Sequence, residues 1–167
     1  TDEENLWRDM PRYVEKEEMP TVGFTPDSKF PLIYAEKGLL QCKLTAKNQS
    51  GMVFKGGDAF NSVPSSILVE KTAGLVQALD KLKYEYTEKD NKIEIIGKSV
   101  HAQVAETGVN AINRYLHALS LSGVETKSGK FIVENLIGYN FAEPIFGEVK
   151  DEHSGELKFN VGKIEFT

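Results

Sequence analysis

The chain is poor in sulfur: of its 167 residues, one is cysteine and three are methionine. A lone Cys42 cannot close an intramolecular disulfide and has no second thiol beside it for a metal pair. Its expected setting is a reducing compartment, the cytoplasm, and a plain buried side chain. Long hydrophobic runs are also missing. No stretch reaches the roughly 18 apolar residues that a spanning helix needs, so neither a membrane protein nor a membrane partner is expected. Charge of one sign is nowhere gathered into a stripe: 20 Lys and Arg are scattered among 25 Asp and Glu, for a net charge of −5. The electrostatic attraction behind nucleic-acid binding is therefore absent, and no nucleic-acid partner is expected. There is no nucleophile elbow, phosphate loop or dinucleotide fingerprint. What remains is 40% hydrophobic and 27% charged, the composition of a globular chain long enough to bury a core without staples.

Along the sequence, Leu6, Trp7, Met10, Tyr13 and Val14 follow helical spacing and predict an amphipathic helix over 3–18. Residues 21–34, punctuated by Pro26 and Pro31, read as a short strand and loop. At Gly38 the pattern changes. Leu40, Cys42, Leu44 and Ala46 alternate with polar residues, the period of a half-buried strand, followed by a turn at 48–51 and a second strand through Met52 and Phe54. Ser65 or Ser66 is placed to cap a helix with Leu68, Leu75, Val76, Leu79 and Leu82 on its buried stripe. Tyr84, Tyr86 and Thr87 suggest a strand that turns at Lys89-Asp90-Asn91 and returns through Ile93 and Ile95. A helix over 108–121, another over 130–137 and an alternating tail through Leu157, Phe159 and Val161 complete the reading. The fold class is α+β with a mainly antiparallel sheet.

Few residues offer chemistry, and each has a plain alternative. Asp2, Glu3 and Glu4 stand where a helix start favours negative charge; the same carboxylates suit a hard or borderline cation such as Zn²⁺. Asp27 follows a proline, as turn-forming Asp residues do, or serves as a further metal ligand. His101 lies between a strand and a helix, either as a surface residue or as a donor to a developing oxyanion. Asn61 is a turn or cap residue, or an amide that binds a substrate carbonyl or carboxylate. His117 is expected on the solvent edge of its helix and His153 in a charged loop, neither with a partner at ligand spacing.

Four segments in order carry a resemblance: Thr1-Asp2-Glu3-Glu4; Phe24-Thr25-Pro26-Asp27 with Phe30-Pro31 and Glu36-Lys37-Gly38; Gly56-Gly57-Asp58-Ala59-Phe60-Asn61-Ser62-Val63-Pro64; and Gly97-Lys98-Ser99-Val100-His101-Ala102 with Gly108-Val109-Asn110-Ala111. Together they resemble the PepV-like dipeptidases of the zinc carboxypeptidase, aminoacylase and Xaa-His dipeptidase superfamily. The resemblance implies a two-zinc catalytic domain interrupted by a lid of ferredoxin-like α+β units. Residues 1–37 would be a strip of the catalytic domain and 38–167 the lid, with a first half at 38–124 and an incomplete second half at 125–167.

By the same pattern Glu3 is the catalytic general base, Glu4 and Asp27 are zinc ligands, and His101 and Asn61 come from the lid to stabilise the oxyanion or hold the dipeptide substrate. The family's His-x-Asp pair, a further His ligand and a substrate-binding Arg are absent, so the chain is expected to be a fragment that is inactive alone and binds zinc weakly or not at all. Two departures stand inside the motifs: Asn5-Leu6 replaces a Thr-Gly or Ser-Gly, and Ala102-Gln103-Val104-Ala105-Glu106 lacks a proline. The alternative is a non-catalytic ferredoxin-like module for ligand binding or dimerisation.

Overall fold

The computed structural model describes residues 7–24, 26, 30–47, 50–124, 126–137 and 141–167. The chain divides into two compact units, Thr1–Glu36 and Lys37–Thr167.

The first unit holds α1 (Asp9–Lys16), with Asp9 in its first turn and Lys16 in its last, both placed to complement the helix dipole. None of its residues is buried, and its apolar Met10, Tyr13 and Val14 stay exposed. The strand expected within 21–34 is absent among the described residues.

In the second unit, β1 (Phe54–Gly56) is followed by β2 (Ser66–Glu70), α2 (Ala73–Leu82), β3 (Tyr86–Lys89) and β4 (Lys92–Ile96). After a short 3-10 segment (Ala102–Thr107) come α3 (Ala111–Leu121), α4 (Lys127–Asn135), α5 (Glu143–Phe146), β5 (Lys150–Asp151), β6 (Gly155–Glu156) and β7 (Ile164–Phe166). Every strand pair is antiparallel. β4 is central in a three-stranded sheet of order β2-β4-β3, β1 pairs with β7, and β5 pairs with β6. The class is α+β. No helix among the described residues is long and apolar enough to cross a membrane.

Alternation along the central strands builds the core. Ile67 and Val69 of β2 and Ile93 and Ile95 of β4 are buried, and Ile67 stands opposite Ile95 and Val69 opposite Ile93. They pack with Leu75 and Leu79 of α2 and with Ile112, Tyr115, Leu116 and Leu119 of α3. Each such side chain contributes about 1.5–3 kcal/mol by leaving water. Phe54 of β1 stacks on Phe166 of β7 with ring centroids 4.4 Å apart, and meets Tyr115 edge to face at 4.9 Å. That burial pushes the Tyr115 hydroxyl up to about 12.

Local signals set the helix starts. Thr72 Oγ1 accepts the Leu75 N–H at 3.2 Å, and Asn110 Oδ1 accepts those of Ile112 and Asn113 at 2.9 and 3.1 Å, filling donors that a helix start leaves unpaired. The hairpin at Asp90 joins β3 and β4, with Asp90 itself at φ +54°.

Several expectations need correction. Leu68 belongs to a strand, not a helix, and faces solvent; the run 66–70 is β-rich and alternates, and the helix waits for the cap at Thr72. Residues 40–46 form no strand and stay exposed, because alternation stabilises a strand only when a neighbour pairs its backbone. Cys42 is accordingly exposed, not buried. Of the turn expected at 48–51, Asn48 and Gln49 lie outside the described residues. The tail forms only the short β6 and β7, and Leu157, Phe159 and Val161 lie between them.

Candidate active-site loops and their support

The segments after β1 and after β4 run side by side. Val63 N–H donates to the Val100 carbonyl at 2.9 Å, and Ala102 N–H to the Asn61 carbonyl at 2.8 Å, around an antiparallel bridge between Ser62 and His101. Asn61 and His101, some 40 residues apart in sequence, thus become backbone neighbours. Asn61 is half-buried and His101 exposed.

Glycines permit the close backbone approaches that flank this crossing. Gly57 has φ +79°, and a Cβ there would stand 1.9 Å from the Gly162 carbonyl oxygen. A Cβ on Gly97 would stand 2.3 Å from the Val109 carbonyl oxygen, where Lys98 and Val109 exchange backbone hydrogen bonds of 2.8 and 3.0 Å.

His101 also caps the 3-10 segment: its Nδ1 accepts the Gln103 N–H at 3.1 Å. In a neutral imidazole that acceptor role puts the proton on Nε2. The exposed ring therefore offers an N–H donor.

The C-terminal tail braces both segments. Asn160 Nδ2 donates to the Ser62 carbonyl at 2.9 Å, and Asn110 Nδ2 donates to Asn160 Oδ1 and the Val161 carbonyl, each at 3.0 Å. Lys158 Nζ meets Glu106 Oε1 at 2.7 Å and lies 4.6 Å from the centre of the Phe141 ring. The Lys158 ammonium beside it holds the Glu106 carboxyl below its ordinary range. Glu106, Lys158 and Asn160 were not singled out from the sequence, because partners some 50 to 100 residues apart leave no local pattern. Only Asn110, just before an apolar helical run, carries a readable cap signal.

The sign of that shift gives a prediction. A carboxyl lowered by folding adds stability at neutral pH that is lost as pH falls through its lowered value. Replacing Lys158 by Met is expected to move the Glu106 midpoint upward in an NMR pH titration, and an unmoved midpoint would show that the pair does not hold in solution.

Glu3, Glu4 and Asp27 lie outside the described residues. Among the described residues no three His, Cys, Asp or Glu side chains converge as a metal site. His117 is not on a solvent edge: it is half-buried, with Nδ1 2.9 Å from the Tyr84 hydroxyl. His153 lies in the β5–β6 turn, where Asp151 Oδ1 accepts its N–H at 2.8 Å.

No family model matches the sequence. A protein named "Putative dipeptidase" in Staphylococcus aureus strain USA300 is 30% identical over 191 residues, covering 99% of this chain and 41% of that protein. Proteins likewise named "Putative dipeptidase" in strains N315 and bovine RF122 match to the same extent. The chain is similar, along almost all its length, to proteins named as dipeptidases. It spans less than half the length of these curated relatives.

Proposed function

We propose that the chain is part of a dinuclear zinc dipeptidase of the cytoplasm, with residues 38–167 forming the lid that closes over a dipeptide. The observation that carries this reading is the backbone crossing that sets Asn61 beside His101. His101, with Nδ1 occupied by the Gln103 N–H, presents Nε2–H as a neutral donor to the oxygen on which negative charge develops when the amide is attacked. Asn61 offers an amide that binds the substrate's backbone carbonyl or carboxylate. The exposed apolar side chains of Val22, Phe24, Phe30 and Leu32 suit a strip that rests on further protein.

Zinc, when bound, supplies Lewis-acid polarisation and an acidified water. In this reading Glu4 and Asp27 are ligands and Glu3 is the general base. Two carboxylates fall short of the three or four protein ligands that zinc takes, and in this reading the rest of the whole protein supplies the remaining ligands. The whole protein is expected to hydrolyse dipeptides and the 167-residue chain to be inactive. Calorimetric titration of the chain with Zn²⁺ should show weak binding or none, and sub-micromolar binding of two ions would overturn this division of the site.

A further inference from the structure

His101 stands in an isolated antiparallel bridge opposite Ser62, held by two backbone hydrogen bonds, from Val63 to Val100 and from Ala102 to Asn61. Those bonds flank the pair, so Ser62 and His101 turn their own N–H and C=O groups away from each other. A two-stranded ribbon is marginal in water by itself. Whatever holds its outer edge therefore decides where His101 stands.

A side chain takes that edge. Asn160 Nδ2 donates to the Ser62 carbonyl at 2.9 Å, the bond that a third strand would otherwise make. Asn160 is fixed in turn: its Oδ1 accepts from Asn110 Nδ2 at 3.0 Å, and the same Asn110 nitrogen donates to the Val161 carbonyl. Asn110 commits its own oxygen to the Ile112 and Asn113 N–H groups at the start of α3. Two side-chain amides thus tie the ribbon to the first turn of α3, where Ala111 and Ile112 are buried in the core. Both are half-buried, and both line a cleft of about 770 Å³ that the polar stripe of α3, Asn113, Arg114 and His117, also faces. The tail is held a second time two residues on. A Cβ on Gly162 would stand 2.9 Å from the carbonyl oxygens of Ala59 and Phe60, so the backbone that carries Asn160 lies directly against the segment leading into Asn61.

We propose that Asn160 is a positioning residue for His101. Its amide, anchored on Asn110, fixes Ser62 and, through the bridge, the place from which the His101 ring reaches the carbonyl under attack. The inference rests on the dipeptidase reading and adds to it a residue that acts through another. Asparagine meets the requirement with one donor for Ser62 and one acceptor for Asn110 on a short planar head. A displacement of about 1 Å in such a support can cost on the order of 10²-fold in rate.

The test is a double-mutant cycle in the zinc-loaded whole protein, read as steady-state kinetics on a panel of dipeptides that includes L-alanyl-L-alanine, with circular dichroism to confirm folding. Asn160→Asp keeps an oxygen for Asn110 and puts an oxygen in place of the Ser62 donor. It is expected to lower kcat at least about tenfold with KM changed less than about twofold. Introduced into His101→Ala, it is expected to lower kcat less than about twofold, because nothing remains for it to place. A residue that merely held the fold would lower kcat by the same factor in both backgrounds. If Asn160→Asp does not fold, Asn110→Ser is read the same way; it keeps a capping oxygen at the start of α3 and removes the donors to Asn160 and Val161. The proposal is overturned if the folded variant leaves kcat unchanged, if the loss is a raised KM at constant kcat, or if the loss persists in full beside His101→Ala. Absence of hydrolysis by the unaltered protein, by contrast, overturns the dipeptidase reading and the inference with it.

Discussion

Under the proposed dipeptidase function, His101→Ala in the whole protein is expected to lower kcat by about 10²–10³ while leaving KM nearly unchanged. A donor aimed at charge that exists only in the transition state contributes to kcat and not to ground-state binding. The structure supplies the donor: Gln103 N–H occupies Nδ1, so the remaining proton is on Nε2 of an exposed ring. Steady-state kinetics on a dipeptide, with circular dichroism to confirm folding, make the measurement. An unchanged kcat would remove the oxyanion role, and a raised KM at constant kcat would move His101 to simple substrate binding.

Gly57→Ala is expected to destabilise the second unit by about 3 kcal/mol or more. Two costs add. The residue has φ +79°, where a side chain costs about 1–2 kcal/mol, and the new Cβ would stand 1.9 Å from the Gly162 carbonyl oxygen, a backbone atom that yields only if the tail shifts, with overpacking worth about 1–3 kcal/mol. The tail residue Asn160 braces Ser62, so the same change should loosen the crossing beside Asn61. Denaturant unfolding followed by tryptophan-independent circular dichroism reads the stability, and amide exchange of Val63 and Ala102 reads the crossing. Stability within about 0.5 kcal/mol of the unaltered chain would show that the close approach of Gly57 to Gly162 is not a feature of the folded protein.

The two glycines at 56–57 are visible in the sequence as a bend or close approach, but what they approach is not. Gly162 is 105 positions away from Gly57, and only the pairing of β1 with β7 brings the tail there. Leu68 shows the limit of periodicity differently. Its spacing to Leu75 and Leu79 fits a helix, yet Ile67 and Val69 gain more by pairing with β4 and facing the core, which turns Leu68 outward. The alternation at 40–46 fits a strand equally well and forms none, because no neighbouring strand accepts its backbone bonds. Cys42 is exposed for the same reason.

The cleft beside α3 was beyond sequence reading. Asn113, Arg114 and His117 look like the solvent side of an amphipathic helix, and His117 was expected there. Packing of α4 and the tail over that side makes the stripe half-buried and leaves Asn113 Oδ1 without a hydrogen-bond partner among the described residues.

The sequence by itself determined the α+β class, the β3–β4 hairpin, α3 with its apolar face, and the two short motifs holding Asn61 and His101. Each rests on contacts or dihedral preferences within a few residues, which composition and spacing encode directly. Only the tertiary structure decided that Asn61 and His101 are neighbours, that Lys158 and Asn160 brace them, and that the polar stripe of α3 faces a cleft. Those relations join residues from about 20 to about 100 positions apart, and their energy comes from burial and pairing that exist only once the elements have met.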